Sequence, residues 1–396
     1  MTAVVGFDPY DYAVQEDPYP AYAWLRDNAP LYRHEEYGFW ALSRHADIVA
    51  ALRDESTFSS SMGVSLDPAA WGEHARNTMS FLAMDPPDQT RLRSLVSRGF
   101  TPRRVKDLEA RIRELAGAYL DEVLERGSVD FIDSFAGKLP MDVISELLGV
   151  PAADRDELRR LADTLLHRED GSRDVPKEGI EAAMTLFGYY ADLLAQRRRT
   201  PADDLTSALA TAEADGDRLT DQEIVGFLFL MIVAGNETTT KLLTNCVYWA
   251  YRNPDQLAGV LADRSLVPGW VEETLRYDSS TQLLARYLRA DVALHGQVAP
   301  AGSQLVLLLG SANRDPRVFH EPDRFDIGRD TSQLISFGGG RHYCLGANLA
   351  RLEARVALDE FVKRVGHLDV DESAAQRVHS VNVRGFARLP VTVKGR

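Results

Sequence analysis

Phe337-Gly338-Gly339-Gly340-Arg341-His342-Tyr343-Cys344-Leu345-Gly346 sets a cysteine between a glycine-rich loop and a helical run, LGANLARLEARVALDEF, that starts just past it. A helix N-terminus turns unpaired N–H groups and the positive end of its dipole toward what precedes it, so this spacing predicts a stabilised thiolate at Cys344. Glycines at 338, 340 and 346 remove side chains that would keep a flat ligand from the sulfur. Three readings stay open on these residues alone. Cys344 could be a buried structural cysteine in a turn. It could be a nucleophile with His342 as its base, although no Asn or Asp is evidently placed to orient that imidazole. It could be a thiolate ligand to haem iron, which uses every part of the run.

Around this loop lies an ordinary globular chain of 396 residues, 45% hydrophobic and 26% charged, large enough for a sizeable core. A net charge of −14 argues against nucleic acid or an anionic membrane as the main partner. The two cysteines, Cys246 and Cys344, form neither a disulfide framework nor a zinc pattern, which suits a reducing cytoplasm. The start, MTAVVGFDPYDY, has no targeting pattern, and the longest apolar stretch, Phe227 to Ala234, is far short of the ~20 residues of a membrane span. With no repeat or linker, one domain over 1–396 is expected.

The expected fold is mainly α with a smaller β portion. Strand-like pieces fall at Gly38–Ser43, Val292–Val298 and Gln304–Leu309, and a long loop at Ser59–Met84. Helical stripes cover 103–126 and 180–199, the second ending in Arg197, Arg198 and Arg199 before Pro201. The longest helix opens on a capping box, Thr220 and Glu223, and runs to about Tyr251, or about 48 Å at 1.5 Å per residue. Gly226 to Gly235 is apolar all round and predicts burial on every side. The sequence that follows, Asn236-Glu237-Thr238-Thr239-Thr240, is poor core filling and points to function. A hydroxyl at Thr238 with the Glu237 carboxylate behind it can relay protons. Ala234 and Gly235 would leave room beside them and for a local opening of the helix ladder.

The decapeptide around Cys344 resembles the haem-binding signature of the cytochrome P-450 family, Phe-Gly-x-Gly-x-His-x-Cys-x-Gly, at all six defining positions. Ala234-Gly235-x-Glu237-Thr238 is similar to the family's oxygen-activating stretch, and Glu273-x-x-Arg276 and Pro322-Asp323-Arg324-Phe325 follow in the family's order. Asp85-Pro86-Pro87 with Arg93, and the run 198–205, resemble soluble bacterial members. The resemblance spans nearly the whole chain. It implies the P-450 fold, with a long central helix crossing haem b (iron protoporphyrin IX), and a haem-thiolate monooxygenase in which Cys344 is the metal ligand and Glu237 and Thr238 deliver protons. It further implies that Glu273 and Arg276 form a buried structural network with Arg324. His342, Arg286 and Arg93 would hold the haem propionates, with Gln89 nearby where many bacterial relatives have His.

Electrons are expected from ferredoxin and ferredoxin reductase, since no flavin or iron-sulfur domain is evident in the chain. Residues 91–106 carry six basic side chains and no acidic one, and with Arg341 they could dock an acidic donor. The substrate is expected to be an apolar secondary metabolite such as a polyketide, macrolide or terpenoid. Its walls would come from 59–84, 165–185, the central helix, Ser280–Leu284 and Ser380–Phe386, with Leu283, Leu284, Val381 and Val383 as an apolar lining or as ordinary core. Two rivals are a peroxide-driven oxygenase of the same fold, which would not need the relay, and a non-catalytic haem sensor, which could lose Glu237 and Thr238.

Overall fold

Thr220 begins the element on which the rest is assembled. Its hydroxyl accepts from the Glu223 amide at 3.2 Å while Glu223 Oε2 accepts from the Thr220 amide at 2.8 Å, so the capping box is closed in both directions. In the computed structural model, which describes residues 7–167, 169–170, 172–173, 175–214 and 217–396, this helix runs from Asp221 to Arg252 without a break. The helices Lys138–Leu148, Arg155–Leu166, Lys177–Arg199, Val267–Tyr277 and Ala347–Arg364 all pack against it. Gly226 to Ile232 are buried as expected. Val233, Ala234, Gly235 and Thr238 are only half-buried, and Ala234, Gly235 and Thr238 line a cavity.

A second apolar core lies under a five-stranded sheet in the spatial order Leu31–Arg33, Trp40–Leu42, Gln304–Leu308, Leu283–Leu288, Phe58–Ser59. Leu305 pairs with Arg286 antiparallel and with Trp40 parallel, a register that turns Leu283, Ala285 and Leu288 into protein on a strand buried almost throughout. The architecture is mainly helical with a smaller sheet portion.

Several expected boundaries shift for local reasons. The 103–126 stripe is two helices, Pro102–Asp107 and Glu109–Arg126, because Thr101 caps a short first helix through the Arg104 amide and the chain re-aims at Leu108. Val292–Val298 is a hairpin, Val292–Leu294 with Gln297–Ala299, turned at His295 and Gly296, both with positive φ. The 59–84 loop contains three short helical turns, Pro68–Ala70, Ala75–Met79 and Ser80–Ala83. No helix among the described residues is long and apolar enough to cross a membrane.

The irregular stretch between the last sheet strand and the cysteine loop is held from behind by two charges with no solvent access. Arg276 donates to Glu273 through Nε and Nη2, each at 2.7 Å, and both side chains are 0% exposed. Arg276 Nη1 also donates to the carbonyls of Asn313 (3.0 Å) and Pro322 (2.8 Å). The third arginine is not Arg324. The Arg324 side chain pairs with Glu321 at the surface and contributes only its carbonyl, whereas Arg329 Nε reaches Glu273 Oε1 at 3.3 Å. Five residues further along the loop, Arg329 folds back over the turn and bonds the Glu321 and Arg324 carbonyls as it does so.

Removing Arg276 takes both short bonds from the buried Glu273 and leaves it only the longer contact with Arg329 as a charge partner. Arg276→Met is therefore expected to cost about 3–5 kcal/mol in urea unfolding, and Arg329→Met clearly less because Arg276 still neutralises Glu273. Equal losses for the two variants would contradict this arrangement.

Candidate functional site

The cysteine loop is closed by backbone geometry. The Cys344 amide donates to the Phe337 carbonyl at 3.0 Å, and Gly338 and Gly340 sit at φ +70° and +61°, where side-chained residues are strained. A Cβ at Gly340 would lie 2.2 Å from the Leu52 carbonyl oxygen, so this glycine serves the close approach of the loop to its neighbour, not access to the sulfur. Gly338 and Gly346 do border the cavity, and around Gly346 nothing lies within 4 Å of an added Cβ. Arg351, one turn into the following helix, stacks its guanidinium over the Phe337 ring at 4.5 Å and pairs with Glu272, which ties the loop to the Glu273 helix.

Cys344 opens onto a cavity of about 220 Å3. The lining is mostly apolar: Phe81 and Leu82, Phe100, Ile144, Leu230 and Met231 on one side, Leu284 and Leu309 on another. Thr238 faces it, and its hydroxyl donates to the Ala234 carbonyl at 2.8 Å. That bond is made on an intact helix, so the expected opening of the helix ladder is not seen; small residues at 234 and 235 leave the space instead. The thiol is subject to opposed influences. Burial pushes it above its ordinary value, while the Gly346 amide, Arg93, Arg351 and the Ala347 amide pull it down. The helix-end donors expected from sequence are thus present, but burial outweighs them until a metal charge is added.

Two cationic or potentially cationic side chains, Arg286 and His342, line this cavity with too few partners, and Arg93 lies beside it on the Tyr343 carbonyl. Arg286 is fully buried on its sheet strand and, among the described residues, donates only to the Ala285 carbonyl at 2.7 Å; burial lowers it to about 10, and Asp85 opposes that. Among the described residues neither ring nitrogen of His342 has a partner at full hydrogen-bonding geometry, although the Met84 backbone lies close enough to act on it, and burial followed by Arg286 brings it to about 4. Arg93 donates to the Tyr343 carbonyl at 2.6 Å and leaves Nη1 buried without a partner. Unsatisfied buried donors beside an apolar cavity with a sulfur at its edge fit a large, flat, mostly apolar ligand that carries carboxylates and a metal. Because neither His342 nitrogen engages the thiol, the cysteine-nucleophile reading has no base.

Gln89 takes a different place from the one expected. Its amide donates to the Arg341 carbonyl at 3.0 Å, bracing the loop that carries His342 without lining the cavity. Glu237 lies beside Thr238 in sequence but points away from the cavity, 2% exposed, with Lys241 Nζ 3.0 Å from its Oε2. Of the expected walls, 59–84, the central helix and 280–284 contribute. The described part of 165–185 and all of 380–386 do not, and positions 168, 171 and 174 lie outside the described residues. Val381 belongs to the sheet-side core and Val383 bridges to Thr281. Ile144 and Phe100 were not anticipated from sequence, where they read as ordinary core positions. Glu353 was also missed. It lies two turns past the cysteine on a helix whose pattern marks it as an inward position, and burial holds its carboxyl well above the ordinary 4.5.

Comparison with known proteins agrees with this geometry. The Cytochrome P450 family model matches residues 175–377. The chain is 57% identical to cytochrome P450 123 of Mycobacterium tuberculosis over 402 residues, covering 100% of both. It is 40% identical to the vitamin D(3) 25-hydroxylase of Pseudonocardia autotrophica, covering 96% of this chain and 94% of that one. Among solved structures, a mutant of P450 EryK of S. erythraea in complex with erythromycin B superposes with a TM-score of 0.87 at 34% identity, covering 97% of each chain.

A carboxyl raised in the folded state binds a proton that the unfolded chain has released, so its contribution to stability is present below 4.5 and is lost as pH rises toward its folded value. Glu353→Gln is expected to be more stable than the parent at about pH 8, with the gap closing toward about pH 4. Thermal unfolding across that range checks it, and parallel curves would contradict a neutral Glu353.

Proposed function

We propose, from the premise that the chain belongs to the cytochrome P450 family of haem monooxygenases, that it inserts one oxygen atom of O2 into an apolar secondary metabolite, with Cys344 as the thiolate ligand of haem b. The observation that carries this reading is the convergence of one sulfur and two under-partnered side chains, Arg286 and His342, on a single apolar cavity, with Arg93 held beside it on the Tyr343 carbonyl. When bound, haem supplies the redox chemistry that activates dioxygen, and thiolate ligation pushes electron density that favours O–O cleavage.

The chain's own residues do the rest. Arg286 and Arg93 offer charge-assisted bonds to the two propionates and His342 an imidazole N–H, with Gln89 holding the loop behind them. Thr238 presents its hydroxyl to the cavity and can pass a proton inward, and Glu237 behind it can resupply the proton. Phe81, Leu82, Ile144, Leu230 and Met231 exclude water and hold an apolar substrate by burial. Vitamin D(3) and erythromycin B, named for two relatives, differ widely in shape, which favours a class of medium to large apolar molecules over one compound.

Ferredoxin, reduced by ferredoxin reductase in the cytoplasm, is the proposed electron source. Of the basic side chains in 91–106, Arg91 is engaged by Asp217 and Glu223, and Arg93 turns inward. Arg103, Arg104 and Lys106 are exposed, and no ion pair is seen for them among the described residues. Arg341, expected to join them, is paired with Glu55 at 2.8 Å. The docking patch is therefore read as 103–106 with the exposed Tyr343 ring.

Thr238→Ala is expected to keep electron consumption and to divert it to peroxide, cutting product per electron by about tenfold or more. Unchanged coupling would remove the relay. Arg103→Glu with Arg104→Glu should slow reduction by ferredoxin at low salt and lose that effect at high salt. A reduction rate that does not change at low salt would move the docking site elsewhere.

A further inference from the structure

A second cleft, of about 460 Å3, lies where the far end of the central helix meets helix Tyr19–Asn28, and among the described residues it shares no lining side chain with the cavity at Cys344. Its back wall is a buried charge cluster. Asp278, with no access to solvent, accepts from Arg384 Nε at 2.6 Å, Arg377 Nη1 at 3.3 Å, the Tyr19 hydroxyl at 2.7 Å and the Trp249 indole at 2.8 Å. Burial opposes its ionisation, but Arg384, Arg377, the Tyr19 bond and Arg314 hold it well below its ordinary value. The side chains of Arg314, Arg377 and Arg384, none more than 9% exposed, thus stand around one enclosed carboxylate, and all three line the cleft. The other acids of the cleft, Glu16, Asp17 and Asp323, are exposed at its mouth. An excess of enclosed positive charge is costly unless a further anion answers it.

The three arginines are not equally engaged. Arg384 also donates to the carbonyls of Gln15 and Glu16, and Arg377 lies over the Phe386 ring at 4.0 Å. Arg314 is clamped between the Tyr19 and Tyr277 rings, 3.5 and 3.7 Å from their centroids, and its Nε donates to the Tyr277 carbonyl at 2.7 Å. That fixes the plane of the guanidinium and leaves its outer edge, Nη1 and Nη2, for polar partners. Among the described residues Nη1 has Asp323 at 3.3 Å, a carboxylate 71% exposed, and Nη2 is buried with no partner. A planar fork held between two rings, with one arm empty, is suited to a bidentate carboxylate. Beside it Tyr248, Trp249 and Tyr277 supply an aromatic wall for an apolar body.

We propose that this cleft is a second ligand site that takes a small carboxylate with a flat apolar body. The carboxylate sits on the Nη1–Nη2 edge of Arg314 in place of Asp323, and the body lies against Tyr248 and Trp249. The site is separate from oxygen insertion at Cys344 and does not rest on that reading.

The test is calorimetry on the haem-loaded full chain, saturated with phenylimidazole on the iron so that the cavity at Cys344 is filled, with naphthoate as the probe. Naphthoate should bind about tenfold more tightly than neutral naphthamide, and about tenfold more tightly than inorganic phosphate, which has charge without the apolar body. Asp323→Asn frees the fork from its exposed competitor and should tighten naphthoate by about threefold, whereas Glu16→Gln, at the same mouth but off the fork, should change it by less. Arg314→Lys keeps the charge, loses the fork and should weaken binding by about tenfold. Equal affinity for naphthoate and naphthamide, phosphate binding as tightly as naphthoate, or Asp323→Asn tightening no more than Glu16→Gln overturns the proposal. If Arg314→Lys does not fold, the surface pair Asp323→Asn and Glu16→Gln decides.

Discussion

Arg276 and Glu273 meet without any access to water, and the working part of the molecule is built around that contact. Such a pair is costly to bury and worth keeping only when its remaining donors are used. Here they are: the guanidinium collects the carbonyls of Asn313, Pro322 and Arg324, three points on a stretch with no regular ladder of its own. Asn313 extends the hold, its side chain accepting from the Ile335 amide at 2.9 Å and donating to Ser336 at 2.8 Å, just ahead of the glycine-rich loop. The sulfur is therefore positioned by a chain of polar contacts that begins on a helix face pointing away from it.

The cavity has the opposite character. Around the ion pair every donor is used, whereas the cavity edge keeps Arg286, Arg93 and His342 short of partners in a region that burial makes unfavourable for charge. Removing any one would ease the protein alone, so their presence makes sense through what binds beside them. The same logic separates the two buried glutamates near the central helix. Burial pushes the Glu353 carboxyl up, with no cation acting on it among the described residues, while Lys241 first, and then Asp163 and Arg159, draw Glu237 down against its burial. Two carboxyl groups in one region are thus shifted in opposite directions by their neighbours.

Much of this was legible in the sequence because it follows short-range rules. The Thr220 capping box, the helix after Cys344, the cluster at 234–240 and the spacing of Glu273 and Arg276 are all local patterns. What was not legible depends on contacts across long separations. Nothing in the spacing distinguishes Arg324 from Arg329 as the partner of Glu273; the turn at 326–329 decides it. Gln89 is in the expected segment, but whether its amide meets the ligand or the Arg341 carbonyl depends on a contact 252 residues away.

The account stands or falls on Cys344 as an iron ligand. The most direct measurement is the optical spectrum of the reduced, haem-loaded protein under carbon monoxide, compared with that of Cys344→His. The parent should give the red-shifted Soret band of thiolate ligation, and the histidine variant should keep haem while losing that shift. A haem-replete parent without the shift, or a variant that retains it, would contradict the assignment of the sulfur.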